Sequence, residues 1–389
     1  MKNKILYISY TGIMEPLGES QVLNYIKGLS NDYFFYLITL EKDNNSKNKI
    51  DLNKELKKNN IIWIPLEYKK GKKNYLNNFI KVFVKSYKIV RGHDIKLIHC
   101  RSYMPGLISL LLKFIFRDIK YLLDTRGFWF DEKVDVGIWR KNSLIYKFSK
   151  RIESVLYKKA SAIVMLSNKG KMILNKNKLF KGSDKVTNIY VIPTCTDLNL
   201  FYPNNNNNSK IKIGYVGTSS GWYDFDSVIN VLMKLDNLIN FKFIIFNSNE
   251  HEQIKNIIKK SEFKGDYTIE NIDFSEIPKR IRVFDFSIFF IHPYFSKNAS
   301  IATKLGELMA SGIPVITNGN VGDHQYYIEK YNTGCIINVD EIEKYDYKKN
   351  LDNILSLEIK RNCRKLAEDV FSLQNGINNY RIIYNNIIN

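Results

Sequence analysis

Along the first half of the chain, short apolar runs alternate with longer stretches of period 3.6. The runs "KILYISY" (4–10), "YFFYLITL" (33–40), "IIWIPL" (61–66), "IKLIHCR" (95–101), "IKYLLDTRG" (119–127), "ASAIVMLS" (160–167) and "IYVIPT" (189–194) predict strands. "SQVLNYIKGLS" and residues 74–91, 104–116 and 142–158 predict helices between them. Repeated strand–helix alternation predicts a parallel sheet covered on both faces.

A polar, asparagine-rich stretch, "PTCTDLNLFYPNNNNNSK" (193–210), interrupts this rhythm and suits a linker. Alternation then restarts. "IKIGYVGTSS" (211–220) is a strand running into a Gly/Ser turn, and "DSVINVLMKL" is a helix. Residues 241–247, 267–272, 286–293, 313–319 and 334–339 predict further strands, and "SLQNGINNYRIIYNNIIN" a terminal helix. The expected fold is α/β: two doubly wound, Rossmann-like domains facing a cleft. Residues 1–195 form the first, 196–210 the linker and 211–370 the second, with the helix of about 371–389 packing back on the first. Ligands of such sheets bind beyond the carboxyl ends of the strands.

"SIATKLGELMASGIPVI" (300–316) breaks local rules. Lys304 falls in a first helical turn, beside the positive end of the helix dipole. Gly306 costs about 1 kcal/mol of helix stability relative to alanine. The far end is orderly, with Gly312 at the left-handed C′ position and Pro314 blocking further helix. An anionic ligand at the helix start would compensate the lysine.

Composition changes the picture in two ways. Cys100, Cys195, Cys335 and Cys363 form no C-x-x-C pair, which fits free thiols in a reducing cytoplasm and gives no zinc site. The opening "MKNKILYISYTG" has too short an apolar run for a secretory signal, and the apolar stretch 104–116 is broken by Lys113, so no membrane span is expected. The net charge of +20 is confined to one half: residues 1–200 hold 37 Lys and Arg against 17 Asp and Glu, and the remainder 22 against 22. The first half therefore faces something anionic. No recognition helix or aromatic stacking motif accompanies the charge, so a nucleic acid is not the expected partner. In "EYKKGKKNYLNNFIKVFVKSYKIVRG" (67–92), Lys69, Lys70, Lys72 and Lys73 precede a helix with an apolar stripe of Leu76, Phe79, Val82, Phe83, Tyr87 and Val90. The stripe would pack on the sheet while the lysines meet an anionic membrane surface.

Three stretches together, "SIATKLGELMASGIPVI", "VIPTCTDLNLFYP" and "IGYVGTSSGWYDFDSVI", resemble bacterial glycosyltransferases of the GT-B fold, in the retaining group called glycosyltransferase family 4. "SYTGIMEPLGESQVLNYIKGLS" and "DTRGFWFDE" are similar to a subgroup that builds surface polysaccharides, such as lipopolysaccharide. The resemblance covers essentially the whole chain.

It implies a nucleotide-sugar donor in the second domain, with no metal and no further cofactor. Glu307, second glutamate of the family's E-x7-E pattern, would bond the ribose hydroxyls. Thr303, Lys304, Leu305 and the helix-start amides would hold the diphosphate. Ala299 stands where the first glutamate belongs, a departure that bears on the donor sugar. The turn Gly217, Thr218, Ser219 would offer free amides as an anion nest. Lys279, Arg280 and Arg282 read as a solvated face, and Asp224 and Asp226 as helix-capping residues and not a metal motif. The loop 270–281, including Ile272, Phe274 and Ile277, is expected to meet the nucleobase.

In the first domain, Gly18 and Glu19 would approach the donor from the opposite wall. Arg126 occupies a position where relatives carry histidine; it would pair with the diphosphate or with an acidic group on a sugar, and joins Lys304 and Glu307 as a catalytic candidate. Arg101, Asp124, Asp131 and Glu132 are acceptor or sugar candidates, the carboxylates being equally compatible with structural ion pairs. His99 reads as a packed core histidine. The expected partners are a nucleotide-diphosphate sugar, a glycan or polyprenyl-linked acceptor and the inner face of the cytoplasmic membrane. Two alternatives stay open: a nucleotide-sugar 2-epimerase of the same fold, and a catalytically degenerate nucleotide-sugar-binding subunit.

Overall fold

The computed structural model describes residues 2–42, 46–176, 188–204 and 210–389. The chain divides into two compact units, Met1–Pro193 with Leu373–Asn389, and Thr194–Ser372. Of the expected linker 196–210, residues 196–204 and 210 belong to the second unit, and 205–209 lie outside the described residues. Thr196 is tied there by its amide, which donates to the Phe371 carbonyl at 2.7 Å.

The first unit holds seven strands: β1 (Asn3–Ser9), β2 (Tyr33–Glu41), β3 (Ile61–Glu67), β4 (Ile95–Arg101), β5 (Lys120–Asp124), β6 (Ala162–Met165) and β7 (Ile189–Val191). All pair in parallel, in the order β3-β2-β1-β4-β5-β6-β7. Their near-continuous apolar sequence follows from burial on both faces. The strand order reverses between β1 and β4, so residues at their ends flank the switch point, with the end of β5 next to that of β4. The terminal helix Leu373–Ile388 belongs to this unit. It buries Ile377, Tyr380, Ile383, Tyr384 and Ile387 at helical spacing, with Tyr380 edge-on to Tyr25 and the Tyr384 hydroxyl 2.6 Å from His99 Nδ1.

Two helices differ from expectation. The segment expected as one regular helix from residue 20 begins at Pro16 and passes through a π-helical stretch, Glu19–Leu23, before Asn24–Leu29. In the helix Lys72–Gly92, Leu76 is exposed and not part of the inner stripe. Asn78 is buried instead, because its side-chain amide exchanges hydrogen bonds with the backbone N–H and carbonyl of Lys69 and ties down the preceding loop. Among the described residues no helix is long and apolar enough to cross a membrane.

The second unit holds six parallel strands: β8 (Ile211–Val216), β9 (Phe241–Phe246), β10 (Asp266–Glu270), β11 (Phe286–Ile288), β12 (Val315–Thr317) and β13 (Gly334–Ile336). Their order is β10-β9-β8-β11-β12-β13, with a switch point between β8 and β11. The turn after β8 leads into the helix Phe225–Asp236. The segment after β11 ends in the helix Thr303–Ala310, closed by Gly312 at φ +69°. These two connections frame the candidate site.

Candidate active site

The helix Thr303–Ala310 starts without a side-chain cap, since its N-cap residue is Ala302. Thr303 is half-buried there and Leu305 fully buried. Lys304 is only 8% exposed, and its ammonium has no hydrogen-bond partner. It rests on aromatic faces, 3.7 Å from the Tyr223 ring centroid, 4.9 Å from Tyr215 and 5.4 Å from Phe289. Burial pushes this lysine down to about 7, opposed by the charge of Glu307. Glu307, also 8% exposed, is pushed up to about 7 by burial, opposed by Lys304. No ion pair joins the two among the described residues. An unpaired buried cation beside an uncapped helix start is a costly arrangement that an anion would relieve. Gly306 is explained by the chain itself: a Cβ would stand 2.8 Å from Thr196 Oγ1.

Sequence reasoning missed His324. Fully buried, it accepts a 3.1 Å hydrogen bond at Nε2 from the Ala302 amide, and so stands in for the absent cap. Burial pushes it down to about 4, which keeps it a neutral acceptor. Its place 22 residues away in sequence hid it; only the pairing of β11 with β12 brings it near.

The turn after β8 departs from the expected nest of free amides. The Gly217 amide donates to the Phe246 carbonyl, and the Ser219 amide donates to the Glu250 carboxylate. The hydroxyls of Ser219 (2.9 Å) and Ser220 also donate to Glu250, and Asn247 Nδ2 donates to the Gly217 carbonyl at 2.9 Å. Burial raises the Glu250 carboxyl, but the hydrogen bonds from Ser220, Ser219 and Asn247 together outweigh it and hold the group below the usual carboxylate range. The nest is thus filled by the chain's own anion. Thr218 is exposed, and the position a Cβ would take on Gly217 lies 3.2 Å from Lys304 Nζ, so the turn abuts the lysine.

The first unit repeats the device. Glu41, last residue of β2, accepts from the amides of Ile13 (2.9 Å) and Met14 (3.3 Å) in the turn after β1. Gly12 leaves room for it, since a Cβ there would stand 2.4 Å from Glu41 Oε2. Gly18 is buried behind this turn, and Glu19 is exposed at the start of the π-helical stretch.

Other candidates have structural partners. Asp224 caps its helix, accepting from the Ser227 amide at 3.1 Å and hydroxyl at 2.6 Å. Arg280 pairs with Glu270, and Arg282 donates to the carbonyls of Pro278 and Leu200. The Ile272 side chain is buried in the core, which leaves only its backbone to meet a base, while Phe274 and Ile277 are half-buried. Ala299 is fully buried. Asp131 is paired with Lys150 (2.8 Å) and the Tyr146 hydroxyl (2.6 Å), a structural arrangement, and Glu132 is half-buried in the first turn of Trp129–Asp135.

Arg101, Asp124 and Arg126 gather at the ends of β4 and β5. Arg126 Nη1 lies 3.7 Å from Asp124 Oδ2, and Nη2 lies 3.5 Å from Gln21 Oε1. Asp124 also accepts from the Tyr380 hydroxyl at 3.2 Å and stands 3.8 Å from His99 Nε2. His99 is buried among Tyr7, Tyr380 and Tyr384, and burial pushes its pKa down.

Two parallel-sheet α/β units of this kind make the GT-B fold. Residues 199–369, within the second unit, match the family model described as glycosyl transferases group 1. An uncharacterized glycosyltransferase of Methanocaldococcus jannaschii is 22% identical over 326 residues, 80% of this chain and 79% of the relative. A glycosyltransferase from Rickettsia africae superposes with a TM-score of 0.71 at 20% identity, covering 100% of this chain and 99% of that one. Staphylococcus aureus TarM, solved as a G117R mutant in complex with fondaparinux, α-GlcNAc-glycerol and UDP, superposes with a TM-score of 0.65 at 12% identity, covering 100% of both chains. The family match supports glycosyl transfer as the class of activity, and the solved structures show the fold.

Proposed function

We propose that the chain is a retaining, metal-independent glycosyltransferase. It moves a sugar from a nucleoside-diphosphate sugar to a hydroxyl of a lipid-linked glycan in surface polysaccharide synthesis. The observation that carries this is Lys304: a buried ammonium without a hydrogen-bond partner, at a helix start whose N-cap residue Ala302 offers no side-chain acceptor, one turn before a buried carboxylate. The diphosphate takes the lysine and the helix amides, and Glu307 accepts from the ribose diol. Fixed dipoles and Lys304 then stabilise the charge that develops on the leaving diphosphate. The solved complex of TarM with UDP supports a nucleoside diphosphate as the occupant. Retention of configuration follows the resemblance to family 4.

The acceptor reaches the enzyme at the cytoplasmic face of the membrane. Supporting this, the first unit holds the chain's excess positive charge together with several largely exposed apolar side chains. On the helix Leu144–Lys159, Leu144 is 85% and Phe148 62% exposed, interleaved with Lys147 and Arg151. The helix Lys72–Gly92 exposes Tyr75, Leu76, Ile80 and Val84 beside Lys81 and Lys85. Apolar side chains inserting among headgroups and cations meeting anionic lipid describe both faces.

Incubating the purified protein with a panel of nucleotide sugars and a lipid-linked acceptor, with and without EDTA, tests the reaction. A new glycan of retained anomeric configuration, formed equally in EDTA, is expected. Isomerised donor would identify the epimerase, and binding without turnover the degenerate subunit.

A further inference from the structure

We propose that Arg101 and Arg126 form a second oxyanion-binding site, in the first unit, for a phosphate or carboxylate carried by the acceptor or the transferred sugar. That the anion belongs to one of these rests on the transferase function proposed above; that an anion binds there does not.

Arg101 ends β4 and is 7% exposed, yet its Nε has no hydrogen-bond partner, and Nη1 reaches only Thr11 Oγ1, at 3.4 Å. A guanidinium that deep ordinarily makes several charge-assisted bonds. The nearest charges do not supply them. Arg126 lies close enough to repel it, and the single carboxylate between the strands, Asp124, is already engaged with Arg126 and Tyr380. Two guanidiniums therefore face one carboxylate, whose Oδ1 is itself buried without a partner.

The backbone carries an independent mark. Ser102 at φ +76° and Arg126 at φ +58° hold left-handed conformations that side chains other than glycine disfavour, and Gly127 follows at φ +135°. Ser102 directly follows β4, which flanks the reversal in strand order, and Arg126 lies two residues beyond the carboxyl end of the neighbouring β5. Strain concentrated at one such point marks a functional site. The Arg126 guanidinium meets the π-helical stretch, its Nη2 lying 3.5 Å from Gln21 Oε1. A tetrahedral phosphate or planar carboxylate matches the donor geometry of two guanidiniums, with the Thr11 hydroxyl at the rim.

The test uses the full-length Lys304→Ala protein, titrated calorimetrically with inorganic pyrophosphate, with glucuronate, and with glucose as the uncharged control. Binding of pyrophosphate or glucuronate but not glucose is expected, and which anion binds tells phosphate from sugar carboxylate. Arg126→Gln in this background should weaken that binding roughly tenfold or more, with partial recovery in Arg126→Lys. Arg126 is the more exposed of the two, and far-ultraviolet circular dichroism checks that each variant is folded. Absence of binding by both anions, or binding unchanged by Arg126→Gln, overturns the proposal. A separate titration with UDP reads the Lys304 site, so failure of the donor site and failure of this one are told apart.

Discussion

The Glu250 carboxylate accepts a 2.9 Å hydrogen bond from the Ser219 hydroxyl and a second from the Ser219 amide, so one side chain shapes the turn that abuts Lys304. Glu250→Gln should lower stability by about 1–3 kcal/mol, because buried donors lose their charged acceptor. The folded-state pKa of Glu250 is depressed, so its contribution is present above the ordinary glutamate range and lost as pH falls below it. Denaturant melts from pH 7 to pH 3 should show a shallower acid loss in the variant.

Lys304→Met should stabilise the ligand-free protein near pH 7 while removing nucleoside-diphosphate binding. Burial lowers Lys304 to about 7 and raises Glu307 to about 7. As pH rises from the ordinary glutamate range to about 7, the folded state keeps a proton on Glu307 that the unfolded state has lost, and stability falls. From about 7 to the ordinary lysine range the unfolded state holds the extra proton, and stability rises. The pair is thus least favourable near neutrality. Lys304 has no hydrogen-bond partner to lose, so removing its desolvation cost should stabilise the protein by about 1 kcal/mol or more. Thermal melts and UDP calorimetry on one preparation check both halves.

Binding of UDP should take up protons at pH 8. A phosphate beside Lys304 favours the ammonium, so affinity should fall as pH rises above about 7, by at most about tenfold per pH unit for one proton. Calorimetry in buffers of different ionisation enthalpy reads the uptake directly. Lys304→Arg, whose guanidinium stays charged, should bind without this dependence.

His324→Phe keeps a ring in the core but leaves the Ala302 amide unsatisfied. A loss of about 1–3 kcal/mol in stability is expected, together with weaker UDP binding as the helix start loosens. In the wild type the folded-state pKa of His324 is depressed to about 4, so stability is lost as pH falls from the ordinary histidine range toward 4. The variant should lack that component.

Phe148→Asp should abolish flotation with anionic vesicles and leave the melting temperature unchanged, since Phe148 is largely exposed. Ile80→Asp tests the helix Lys72–Gly92 in the same assay. Equal flotation with neutral and anionic vesicles would count against membrane attraction by charge.

Thirteen strands were legible because a parallel sheet buries both faces, leaving uninterrupted apolar runs such as Tyr33–Glu41 that need no partner information. Lys304 stood out for the opposite reason, because with Gly306 it breaks helix rules over one short stretch, and Glu307 came in through the family resemblance. What was hidden depended on residues far apart in the chain. Glu250 and Glu41 look like ordinary polar residues after a strand, and only β8–β9 and β1–β2 pairing carries each to the preceding turn. Arg126 could be singled out, but not the unsatisfied state of Arg101, because hydrogen bonding in a core has no local sequence signal. Leu76 misled by period alone, since Asn78 won the inward position through backbone hydrogen bonds.

The acidic residues Glu41 and Glu250 settle when each unit's first turn acquires its shape. Because the chain's own carboxylates accept from these turns, both rims are already shaped in the ligand-free protein. An incoming donor would then forfeit little conformational entropy on arrival, and more of its interaction energy would remain for holding the leaving group as the bond to the sugar breaks.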